Sequence, residues 1–216
     1  MTTITSFVKS WKLASVVATT LLATQAVTAQ KIIPSEREGL LRFGVKAGVN
    51  INKITGQAYK SGFNYNFQGG GFMQINFSKR VGIQPELSFV QTSSEFSNDP
   101  NNVYDDIFNG GNQHKAKLDY LEVPVLLNIN LGESKRVKLQ FGPSYGALLS
   151  QTVDSLKNKG DVFKNGEWSG IGGLWIQLPL VNISARYKIG FSDINNIDDR
   201  QTWKNQAIQI SAGITF

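Results

Sequence analysis

The stretch Leu118–Leu131, L-D-Y-L-E-V-P-V-L-L-N-I-N-L, constrains everything else in the chain. Every second residue (Leu121, Val123, Val125, Leu127, Ile129, Leu131) is apolar, and the alternate set (Tyr120, Glu122, Pro124, Leu126, Asn128, Asn130) is mostly polar. A period of two gives a strand with one apolar and one wet face. Strands of soluble proteins usually end after about 5–6 residues, whereas a tilted strand needs about 9–11 to cross a bilayer. So long a strand has a place here only if the pattern recurs often enough to close a sheet on itself.

Seven more segments alternate. Leu41–Ile51, Asn66–Phe77 and Arg80–Thr92 precede the first stretch, and Val137–Leu149, Trp168–Leu178, Leu180–Phe191 and Gln206–Phe216 follow it. The links between them run long, short, long, short, long, short, long. The long ones, at about Asn52–Tyr65, Ser93–His114, Gln151–Glu167 and Ser192–Asn205, are polar. An even strand count with alternating short turns and long loops is the layout of an outer-membrane barrel. The expected fold is therefore all-β: an eight-stranded antiparallel transmembrane β-barrel, up-and-down, with periplasmic N- and C-termini and four outer loops.

Charge decides which face is inside. Lys46, Glu86, Glu122, Lys138, Arg186 and Lys188 all fall on one set of faces, and the other set is nearly uncharged. Water has no reason to exclude charge from every strand, but hydrocarbon does: Arg or Lys at mid-bilayer costs ~2–4 kcal/mol. The apolar faces therefore point at lipid, and strand-end aromatics such as Phe43, Phe77, Tyr187 and Phe216 supply interfacial girdles. Eight strands leave a lumen just wide enough for side chains, and an unpaired buried charge is costly. The six charges are thus expected to form a structural network centred on Glu86, Glu122 and Arg186. Pro85, Pro124 and Pro143 lie mid-strand, where each deletes a ladder hydrogen bond, so bulges are expected there. Ile171 and Trp175 fall on the nominally inner face of the sixth strand.

Residues 1–29 read as a secretory signal peptide, with Lys9 and Lys12 before the apolar Leu13–Leu22 and a small-residue site at Val27-Thr28-Ala29. Residues 30–40 form a polar periplasmic lead, and 41–216 the barrel domain. Removing Lys9 and Lys12 takes the net charge from +6 to +4, with no basic run of the kind nucleic acid requires. The absence of Cys excludes disulfides and thiolate metal sites.

No phosphate loop, zinc spacing or nucleophile elbow is present, and no catalytic residue, cofactor or metal is expected. Gly69-Gly70-Gly71 fits a bend or close packing rather than phosphate. His114 is the only histidine; paired with Ser93, Ser94 or Ser97 it would give a lipid-modifying enzyme, against the plainer reading of a solvated loop residue. The acidic loop groups Asp99, Asp105, Asp106 and Asp193, Asp198, Asp199 lack calcium-loop spacing.

Several pieces together resemble the PorT-like family of outer-membrane β-barrels of Bacteroidota-type bacteria. They are Phe43-Gly44-Val45-Lys46-Ala47-Gly48, Gln84-Pro85-Glu86-Leu87, Leu118-Asp119-Tyr120-Leu121-Glu122-Val123-Pro124, Phe141-Gly142-Pro143, Ala185-Arg186-Tyr187-Lys188-Ile189-Gly190 and the terminal Phe216. The resemblance implies an integral outer-membrane barrel, and a Phe216 that serves as the signal read by the barrel-assembly machinery. Expected partners are outer-membrane lipid, lipopolysaccharide, that machinery during insertion, and an envelope or secretion protein, but not nucleic acid. The expected function is a non-enzymatic structural or interaction role. The alternatives are an accessory subunit of a type IX-like secretion machine, a narrow pore, or the lipid-modifying enzyme.

Overall fold

The computed structural model describes residues 39–55, 62–95, 115–132, 136–153, 163–196 and 202–216. The expected signal peptide and the lead as far as residue 38 lie outside the described residues. Eight strands follow one another: β1 (Leu41–Thr55), β2 (Asn64–Asn76), β3 (Val81–Glu95), β4 (Lys115–Leu131), β5 (Val137–Val153), β6 (Gly166–Gln177), β7 (Val181–Gly190) and β8 (Lys204–Thr215). Each pairs antiparallel with the next, and β8 returns to β1, so the sheet is a closed up-and-down barrel with no edge. Every strand follows from the alternation in its sequence. The turn after β4 needs one special residue: Gly132 sits at φ 75°, a left-handed conformation with no Cβ penalty only for glycine.

The three prolines do not bulge the wall. Pairing of β2 with β3 passes from Phe72↔Glu86 to Ile75↔Ile83, that of β3 with β4 from Pro85↔Val125 to Ser88↔Glu122, and that of β4 with β5 from Pro124↔Ser144 to Leu127↔Phe141. In each case the ladder skips two pairs and resumes in unchanged register. A proline loses its N–H toward one neighbour only, and the other side holds the phase through Pro85↔Val125, Pro124↔Ser144 and Pro143↔Gly170. The register shift falls elsewhere, between Asp119 and Tyr120 in the β4–β5 pair.

Burial alternates along the strands in the sense opposite to a soluble barrel. The inward positions of β7 (Asn182, Ser184, Arg186, Lys188) are buried, while Val181, Ile183, Tyr187 and Ile189 are exposed. Ile171 and Trp175 face inward and are buried, as the phase of β6 requires.

β4 is 17 residues long, and its outward face changes character along its length. From Leu121 to Leu131, eleven residues, that face is wholly apolar; above it stand Lys117 and Asp119. Eleven residues is the length of one tilted bilayer crossing. The same change occurs on β1 (Lys53, Thr55), β3 (Gln91, Ser93, Glu95) and β5 (Ser150, Thr152), whose outward positions beyond the apolar belt are polar. Facing inward at this level are Ile54, Val90, Ala116, Leu118 and Ala207 together with Asn52, Thr92 and Ser94, all buried. The upper ends of the strands thus form a stump with a polar outside and a buried inside that mixes apolar and polar side chains. Five residues such as Gln91–Glu95 extend it by about 17 Å along the strand.

Candidate functional site

The lumen gathers its charges at two levels. At the lower, β3 supplies Glu86, β7 Arg186 and β1 Lys46, each at an inward position of its strand. Arg186 binds Glu86 with both terminal nitrogens, Nη1 to Oε2 at 2.9 Å and Nη2 to Oε1 at 2.8 Å. Lys46 Nζ reaches the same Oε2 at 2.6 Å. A shell of amides encloses the trio: Gln84 donates to Glu86 Oε1 at 2.6 Å, and Gln140 Oε1 accepts from Arg186 Nε at 2.9 Å. Gln84 Oε1 in turn accepts from Gln74, Asn128 and Gln140 at 2.8, 3.0 and 3.1 Å. The Trp175 ring lies 5.6 Å from the Arg186 guanidinium and meets Phe72 edge-on at 5.0 Å. Fork-to-carboxylate pairing with the remaining Arg186 donors directed at an amide is the geometry that offsets burial of an ion pair.

At the upper level Lys188 Nζ donates to Glu122 and lies 3.4 Å from Glu167 Oε2. Gln209 donates to Glu122 at 3.3 Å and Asn205 to Glu167 at 3.3 Å. Arg186 and Lys188 both face inward on β7, two residues and so about 7 Å apart, which is why they serve two levels. Glu122 is therefore joined to Lys188 and not to Arg186, and the single expected network divides in two. The lower trio has two cations and one carboxylate, the upper one cation and two carboxylates, so their formal charges of +1 and −1 are complementary. Lys138, fully buried, sits on β5 opposite Trp175 of β6.

Glu167 is not the loop residue that its place at the end of the third long link suggests. It opens the inward series Glu167, Ser169, Ile171, Gly173, Trp175, Gln177 of β6, and the alternation continued one residue N-terminal to Trp168 is the signal for it. The same long connection contains Phe163, which pairs with Asn195 and is buried with Ile194 and Trp203 beyond the strand ends. Asp193 holds this collar, its carboxylate accepting from the backbone N–H of Trp203 at 2.8 Å and of Asn195 at 3.0 Å, with Lys164 at 3.4 Å. Partial burial pushes that carboxyl up, but the two N–H donors and the ammonium outweigh it and hold it below the ordinary carboxylate range.

His114, Ser97, Asp99, Asp105, Asp106, Asp198 and Asp199 lie outside the described residues. Ser94 is buried toward the lumen, and Ser93 Oγ on the outer face accepts from Asn66 at 3.0 Å. Among the described residues no group of three or more His, Cys, Asp or Glu side chains is arranged to hold a metal ion.

The family model for the outer membrane protein beta-barrel domain matches residues 28–196. This chain belongs to that family. No curated protein matches it. Solved structures similar to this outer-membrane barrel include Ail, the attachment invasion locus protein of Yersinia pestis (14% identity, 82% of this chain and 100% of that chain, TM-score 0.47). Neisserial surface protein A (10%, 82% and 98%, 0.49) and OprG from Pseudomonas aeruginosa (12%, 84% and 98%, 0.47) are also similar. At these identities the likeness is one of fold alone. In an outer-membrane barrel of this family the exposed apolar belt is the lipid-facing surface, and the aromatics at its upper border stand where such girdles lie. Among them Trp168 is 56% exposed and packs its ring 5.1 Å from that of Tyr145.

Proposed function

We propose that this protein is a non-enzymatic outer-membrane barrel with a sealed lumen, which uses its upper stump to present the four long loops to a partner outside the cell. The observation that carries this reading is the change on the outward faces of β1, β3, β4 and β5. Each is apolar for about one bilayer crossing and polar beyond it, so a rigid sheet platform stands in water on the long-loop side. A lumen filled by two ion-pair clusters and their amides is a plug, and it supports a structural rather than a conducting role for Lys46, Glu86, Glu122, Lys138, Arg186 and Lys188.

In this reading residues 1–29 are a cleaved signal peptide, 30–40 a periplasmic lead, and both termini face the periplasm. Phe216 follows the alternating β8, is 63% exposed on the lipid side and acts as the assembly signal. The alternative role is that of an accessory subunit of a type IX-like secretion machine, contacting partners through the lead or the short turns.

Orientation and presentation are tested together, because the chain has no native Cys. Gln91→Cys and Thr152→Cys are expected to react with a membrane-impermeant maleimide on intact cells, and Ser78→Cys only after lysis. The reverse labelling pattern would falsify the outward-stump reading. A stoichiometric periplasmic partner retained through the lead would favour the secretion subunit instead.

A further inference from the structure

Among the described residues the two ends of the barrel differ in charge, and the charged side chains of the short turns are of one sign. Lys79 and Arg80 lie in the β2–β3 turn and Arg136 precedes β5; all three are exposed. Among the described residues their side chains make no ion pair. The described side-chain carboxylates (Glu86, Glu95, Asp119, Glu122, Glu167, Asp193) all lie in the lumen or toward the long loops. Glu133, which shares the β4–β5 turn with Lys135, is outside the described residues.

The β2–β3 turn and the start of β5 are pinned. Ser78 N donates to Val81 O at 3.0 Å, and Ser78 Oγ accepts from the N–H of Arg80 at 3.2 Å and of Val81 at 3.0 Å. Asn130 donates to both Lys79 O and Arg80 O at 2.8 Å, and Arg136 O accepts from Gln177 N at 2.6 Å. The backbone groups are thus satisfied, and the cationic side chains project from fixed points. β3 and β5 flank β4, so Arg80 and Arg136 leave the wall two strands apart, about 10 Å. Directly above them begins the lipid-facing belt, with Phe77 62% exposed and Val81, Leu131 and Leu180 also exposed.

We propose that Lys79, Arg80 and Arg136 form a docking rim for the phosphate headgroups of anionic phospholipids in the leaflet at the short-turn end. The belt sets the depth of the barrel, which brings these cations level with the headgroups. An acidic protein could neutralise the charge, but only a lipid meets the cations and the adjoining apolar edge together. Basic residues at an anionic surface each raise partitioning about fivefold, and salt screens the effect. The rim is independent of what the outer loops bind, so its failure leaves the presentation role standing.

The test is intact-protein mass spectrometry of the folded full chain in detergent, titrated separately with phosphatidylglycerol, phosphatidylcholine and lipopolysaccharide. The wild type is expected to retain phosphatidylglycerol over phosphatidylcholine by roughly tenfold or more. That preference should fall to near parity in Lys79→Gln/Arg80→Gln/Arg136→Gln and in ~0.5 M salt. Should the triple variant fail to fold, as read by heat-modifiable gel migration, Lys79→Gln and Arg136→Gln alone each give a partial loss. Equal retention of the two phospholipids, tighter retention of lipopolysaccharide than of phosphatidylglycerol, or a preference lost only on Lys53→Gln/Lys117→Gln/Lys204→Gln at the other end would overturn the proposal.

Discussion

Glu86 answers two buried cations at once, so its loss strands both. Glu86→Gln keeps the shape but leaves Arg186 and Lys46 without a carboxylate. Breaking a buried pair from one side costs about 3–5 kcal/mol. The expected outcome is a fall of that size in unfolding free energy, read from urea titration in lipid vesicles. Glu86→Gln combined with Arg186→Gln should cost less than the sum of the two single changes. The glycines of β2 and β6 give a second residue-scale contrast. A Cβ on Gly70 would lie 2.2 Å from Leu87 O, whereas one on Gly172 meets nothing within 4 Å. Overpacking costs about 1–3 kcal/mol, so Gly70→Ala should lower the urea midpoint while Gly172→Ala leaves it nearly unchanged. Close packing therefore accounts for Gly70 in the triple-glycine run.

At the scale of elements, register proves more robust than local chemistry. Each proline interrupts one ladder and leaves the other intact, so restoring an N–H should not move the strand. Pro85→Ala and Pro143→Ala are expected to keep the heat-modifiable migration of the wild type. Each variant should gain, at the substituted position, an amide slow to exchange with deuterium; a shifted pattern of protected amides along β3 or β5 would mean that the prolines set the register after all. The collar beyond β6–β8 depends instead on one carboxylate. The pKa of folded Asp193 is held below its unfolded value, about 3.9. A depressed carboxylate contributes stability above its unfolded pKa and loses it as pH falls through the folded one. Protection of the Trp203 and Asn195 amides, taken relative to the intrinsic exchange rate at each pH, should therefore hold at neutral pH and fall as the carboxylate protonates in acid. In Asp193→Asn it should already be low at neutral pH.

For the whole molecule, the question is whether eight strands enclose a path. The lumen carries Arg186, Lys188, Lys138, Trp175 and Tyr120 fully or almost fully buried, and eight-stranded barrels have room for little more than side chains. Reconstituted protein is expected to show no discrete conductance steps in planar bilayers. Steps of stable size in the wild type would replace the plug by a pore.

The strand count, the long–short rhythm of the links and the side facing lipid were all legible in the sequence. Alternation is a local property of each strand, and the penalty for charge in hydrocarbon acts on every strand alike. Phe72, Leu126, Ile171 and Trp175 are among the exceptions that test this. They are apolar yet inward, and the period of two placed Ile171 and Trp175 correctly where composition alone would have sent them to lipid. Glu86 and Arg186 were placed together from the sequence, but the pairing of Glu122 with Lys188, 66 residues apart, was not legible, because such partners are matched in height by strand tilt and register. Glu167 and the Phe163–Trp203 collar were missed for a related reason: a strand end outside the bilayer has no hydrocarbon to enforce its pattern. The sequence by itself determined the barrel and its lipid face, since both follow from the period of side chains along one strand. Only the closed tertiary structure decided the two ion-pair levels, the unbroken register at the prolines and the stump above the membrane, since each is a relation between strands that closure brings side by side.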